Sequence, residues 1–76
     1  MSLRVHPIDP QAVYLRIRSL VDMHGGPAAV AREAGMPLST LETYVGGKNL
    51  PGAMALAQLS RAFEVSTDFL LFGKGR

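Results

Sequence analysis

The chain has no cysteine and no tryptophan among its 76 residues. Without thiols there is no disulfide staple, no thiolate nucleophile and no cysteine-ligated zinc, and a reducing cytoplasm is the expected setting. Long apolar runs are missing too. The longest stretch of large apolar residues, Phe69–Phe72, is far too short to cross a bilayer. The N-terminus has no basic segment leading into an apolar run, so no signal peptide is expected. Charge is sparse: eight lysines and arginines stand against six aspartates and glutamates, a net +2. That balance permits a polyanionic partner without demanding one. His6 and His24 have no companions at ligand spacing, so no metal and no other cofactor is expected. No serine sits in a nucleophile elbow, and the pairs Gly25-Gly26 and Gly46-Gly47 follow no strand and form no phosphate loop. The chain is not expected to be an enzyme.

What is present is helix signal. Hydrophobic residues make up 47% of the chain, enough for one small core. A domain of this size buries only about 60% of its unfolded surface, so that core must be simple. Residues 1–9 read as a flexible arm, 10–73 as the folded domain, and 74–76 as a tail or the start of a linker. Asp9-Pro10 is a helix start, with Asp9 as cap, Pro10 at the first position and Ile8 placed to staple onto Val13. Val13, Ile17, Leu20 and Val21 then recur at helical spacing, leaving Arg16 and Arg18 as solvated charges, until His24-Gly25-Gly26 ends the run. The pattern predicts further helices over Pro27–Ala34, Leu38–Val45, Ala53–Phe63 and Thr67–Phe72. Leu41 and Tyr44 form the buried side of the third; Leu56, Leu59, Ser60 and Phe63 form that of the fourth. Ser66 caps the fifth, with Asp68 in its first turn and Leu70 buried. No stretch alternates long enough for a strand. Helices this short need mutual packing to persist, so an all-α, compact five-helix bundle is expected.

The informative segment is Pro27-Ala-Ala-Val-Ala-Arg-Glu-Ala-Gly35-Met36-Pro37-Leu38-Ser39-Thr40-Leu41-Glu42-Thr43-Tyr44-Val45. Two short helices joined through a glycine turn follow the helix-turn-helix plan. Ala31 is small where the helices cross, Gly35 supplies a left-handed backbone, and Val30, Met36 and Leu41 plug the wedge between them. Leu38, Ser39, Thr40, Glu42 and Thr43 are left outward, a face of a width the major groove accepts. With Gly47-Lys48, Pro51, Leu56, Leu59, Phe63, Val65–Asp68 and Leu70–Gly73, the chain resembles the lambda-repressor-like, or Xre-type, helix-turn-helix family. The resemblance runs without a gap from about Val13 to Gly73.

That resemblance implies a sequence-specific, duplex-DNA-binding transcriptional regulator, most often a phage- or prophage-type repressor acting as a dimer in a bacterial cytoplasm. By position, Leu38, Ser39, Thr40, Glu42 and Thr43 become the base readers: Leu38 for a thymine methyl, Glu42 for a cytosine amino group. Pro27 and Ala28 at the start of the second helix, with Lys48 and Asn49 in the following loop, become the phosphate contacts. Arg4 in the arm is a minor-groove candidate. The expected partner is an operator of two half-sites, and the expected homodimer surface lies at Leu50 and Phe69–Phe72. The chain departs from the family where glutamine is common: Pro27 and Leu38 stand there instead, and Val45-Gly46 replaces a usual polar pair. Glu64 occupies a turn position usually given to glycine or asparagine. The alternative expectation is a protein-binding module of the same fold, antitoxin-like or an oligomerisation domain, with weak or no DNA binding.

Overall fold

The computed structural model describes residues 8–74; the expectations for Arg4 and His6 lie outside them. Five helices make up the described chain: α1 (Pro10–Met23), α2 (Pro27–Ala34), α3 (Leu38–Val45), α4 (Ala53–Phe63) and α5 (Thr67–Phe72). No strand occurs among the described residues. The boundaries fall where local chemistry puts them. Asp9 takes an extended conformation and its carboxylate accepts from the Gln11 amide at 3.1 Å. Ser66 does the same for α5, its Oγ accepting from the Phe69 amide at 2.9 Å. Pro10 and Pro27 open α1 and α2, where their missing N–H costs nothing.

α1 packs against α2, α3 and α5, α2 also against α3 and α4, and α4 against α5. The core between them contains Val13, Ile17, Leu20 and Val21 of α1, Val30, Ala31 and Ala34 of α2, and Leu41 of α3. Ala55, Leu59 and Phe63 of α4 and Leu70 of α5 close it, with Met36 and Val65 from the turns. Ala31 is small because α2 must approach both α3 and α4. The α4 stripe is rotated from the expected one: Ala55 is buried and Leu56 only half-buried. The buried residues of α4 run 55, 59, 63, a repeat of four that faces α2 and α5 at once. Ser60, expected on that inner face, is half-buried and bonded within the turn; its hydroxyl donates to the Val65 carbonyl and ties α4 to the start of α5.

One expectation about an exposed group is corrected. Arg16 is not a free surface charge; its Nη1 donates to the Leu70 carbonyl at 2.6 Å, and α1 thereby caps the C-terminal end of α5. The α1 helix places Arg16 beside α5, which no local pattern announces. Leu70 is fully buried, as its place in the helical period led one to expect, so within Phe69–Phe72 it offers no surface to a second copy. Phe69 is half-buried against the same core, leaving Phe72, 39% exposed, as the most open member of that run.

Candidate nucleic-acid interface

The α2–α3 turn sets the geometry of the face that follows it. Gly35 adopts φ 73° and ψ 36°, the left-handed conformation that glycine enters without a Cβ penalty. Its N–H bonds the Arg32 carbonyl at 3.3 Å while the Met36 N–H bonds the Ala31 carbonyl at 3.0 Å. This paired closure satisfies two of the last four carbonyls of α2, those of Ala31 and Arg32, and turns Met36 into the core. Pro37 then takes an extended conformation and α3 starts at Leu38 in a new direction.

On α3, Leu41 is fully buried and Tyr44 and Val45 lean on the core. At 3.6 residues per turn, Leu38, Ser39, Glu42 and Thr43 share the opposite side within an arc of about 140°. The structure places Leu38, Ser39 and Glu42 in solvent, and leaves Thr40 and Thr43 half-buried. The five expected readers are therefore brought to one helix, but they are not equivalent. Thr43 Oγ1 donates to the Ser39 carbonyl at 3.0 Å, so its hydroxyl proton is already committed within the helix. Glu42 has no ion-pair partner among the described residues.

The loop after α3 is registered to it through backbone bonds. The Gly46 N–H bonds the Glu42 carbonyl at 2.8 Å, the Gly47 N–H the Tyr44 carbonyl at 3.2 Å, and the Lys48 N–H the Thr43 carbonyl at 3.1 Å. Gly47 sits at φ 75° against the Tyr14 ring, and a Cβ there would lie 3.2 Å from a ring carbon. Lys48 and Asn49 thus project, exposed, from a loop fixed both to the end of α3 and to α1. The loop and the start of α1 enclose a shallow cleft lined by Pro10, Gln11, Tyr14 and residues 46–50.

Pro27 cannot serve as a phosphate donor, since its nitrogen carries no hydrogen; the free donors at that end belong to Ala28 and Ala29. No side chain caps the N-termini of α2, α3 or α4, and none of the three has an acidic residue in its first turn. Capping side chains occur only on α1 and α5 among the described helices. The three helices at the turn and the loop thus keep the positive ends of their dipoles uncompensated.

Sequence reasoning missed the Arg16–Leu70 clamp and the seating of Gly47 on Tyr14, because both join residues distant in the chain. His24 stands at the end of α1 as its C-cap, its Nδ1–H donating to the Leu20 carbonyl at 2.8 Å and its ring 5.3 Å from that of Phe63. Among the described residues no group of histidines and carboxylates is arranged to hold a metal ion, and no helix is long and apolar enough to cross a membrane. Comparison of the chain with protein-family models, with curated proteins and with solved structures gives no match, so the site is read from its own residues.

Proposed function

We propose that the chain is a helix-turn-helix DNA-binding regulator of the lambda-repressor-like, Xre-type kind that presents α3 to the major groove of duplex DNA. The observation that carries this reading is the division of α3. Its Leu41 side is locked into the core, while Leu38, Ser39 and Glu42 stand outward beside an exposed Lys48 whose amide is bonded to the same helix. A rigid rod with a small outward face, and at its end a lysine whose backbone is held to the helix, suits base edges flanked by phosphates. The uncapped N-termini of α2 and α3 add donors for backbone oxygens, supplied by Ala28 and by the first amides of α3. Asn49 shares the phosphate role with Lys48. The role is binding rather than catalysis, in a bacterial or phage-type cytoplasmic regulator, with repression the expected mode.

One such domain spans only about four or five base pairs, so useful discrimination calls for two copies on half-sites about one helical turn apart. Leu50 and Phe72, 43% and 39% exposed, and the partly covered Phe69 and Leu71 are the proposed contact between copies. Selection from random-sequence duplexes tests the whole reading: a palindromic consensus is expected, and absence of any enriched sequence overturns it. Lys48→Ala should weaken all duplexes alike and flatten the salt dependence by about one unit of slope.

A second reading, a protein-binding module, is favoured by one feature. Leu15 and Met23, 46% and 71% exposed, line a groove between α1 and α5 with Ala12, Leu20 and Phe69. Partner binding there would be nearly insensitive to salt, whereas DNA binding through several phosphates weakens steeply.

A further inference from the structure

The outward face of α3 lacks every side chain that reads guanine strongly. It holds no arginine, lysine, asparagine or glutamine, and the Thr43 hydroxyl proton is occupied by the Ser39 carbonyl. What it can offer a base is the Leu38 isobutyl group, the half-buried Thr43 side chain with its hydroxyl proton committed, the hydroxyls of Ser39 and of the half-buried Thr40, and the acceptor-only carboxylate of Glu42. In the major groove guanine presents two acceptors, which a carboxylate repels. Thymine presents a C5 methyl, and adenine and cytosine each present an amino donor. Leu38 and Glu42 are four residues apart, hence neighbours on one side of α3, so an apolar group and an acceptor meet the same short stretch of groove.

Resting on the DNA-binding reading above, we propose that α3 is a methyl-and-amino reader. Leu38 and Thr43 pack on thymine C5 methyl groups, Glu42 accepts from an adjacent adenine or cytosine amino group, and guanine is excluded opposite Glu42. Specificity then comes mainly from apolar contact and from repulsion, with few hydrogen bonds to bases. Uncapped helix ends and Lys48 supply the affinity common to all sequences.

The experiment uses the full chain and the duplexes recovered by random-sequence selection, resynthesised with deoxyuridine replacing each thymine in turn. This deletes single methyl groups and leaves base pairing and charge unchanged. Loss of one packed methyl is expected to weaken binding about fourfold at one or two positions per half-site. Leu38 is exposed, so Leu38→Ala should fold, and with this variant the deoxyuridine effect at its position should vanish, as a thermodynamic cycle between contacting groups requires. Glu42→Gln, which can donate as well as accept, should admit guanine at the position where wild type rejects it. Duplexes that bind with a steep salt dependence yet ignore every deoxyuridine substitution would overturn the methyl reading and leave DNA binding intact. Failure to recover any duplex would overturn both.

Discussion

Glu64 carries a backbone conformation that its side chain does not favour. It is the one non-glycine residue with positive φ among the described residues, at φ 57° and ψ 43°, and it closes α4. A left-handed residue other than glycine costs about 1 kcal/mol, and among the described residues no hydrogen bond or ion pair of the Glu64 side chain offsets that cost. Glu64→Gly should therefore raise the melting temperature by about 4 °C or more, as followed by circular dichroism; a clear fall would contradict the turn. Gly35 and Gly47 make the opposite pair of tests. Their φ values are nearly the same, 73° and 75°, but a Cβ at Gly35 meets nothing within 4 Å and one at Gly47 meets the Tyr14 ring. Gly35→Ala should cost about 1–2 kcal/mol through the backbone alone. Gly47→Ala should cost more by denaturant titration, because Tyr14 or the loop must also move. Equal losses would mean the ring yields freely. The left-handed role of Gly35 was readable from the chain; the ring under Gly47 was not, since it belongs to α1, far from Gly47 in the sequence.

Among the helices, α5 depends most on its neighbours. It has six residues, too few to persist alone, and is held by the Ser66 cap, the buried Leu70 and the Arg16 guanidinium. Arg16→Met keeps an apolar stem of similar length and removes the donor to the Leu70 carbonyl. For a partly buried bond from a charged donor the expected cost is about 1.5–3 kcal/mol, toward the lower end because Arg16 is only half-buried. The loss should be local: amide exchange at Leu70 and Gly73, which bond the Ser66 and Phe69 carbonyls, should quicken before that of Leu59. A uniform change across all helices would show instead that Arg16 supports the whole core. All five helix boundaries were legible, because caps, prolines and glycines act on their own neighbours within a turn. The inward face of α4 was legible only in part, since Leu56 and Ala55 compete for it and the simultaneous contact with α2 and α5 chooses alanine.

For the whole molecule, stability is small enough that one core side chain matters. A domain of 76 residues is expected to be stable by about 4–11 kcal/mol. Leu59 has no exposed surface, and Leu59→Ala should remove about 2–5 kcal/mol through lost burial and an unfilled cavity. A urea midpoint unchanged by that substitution would place Leu59 outside the core. Composition and hydrophobic period decided that this chain forms short helices around one core, because those signals are local and repeat at the helical period. They also marked 38, 39, 40, 42 and 43 as the outward side of α3, because Leu41 and Tyr44 claim the other side. Tertiary packing alone decided that Thr40 and Thr43 are half-covered, that Arg16 spans to α5, and that Gly47 seats the loop after α3 on the Tyr14 ring. Each of these depends on which helix lies against which. A chain can announce where its helices start and stop, but the partner of a side chain is settled only when distant segments compete for the same space.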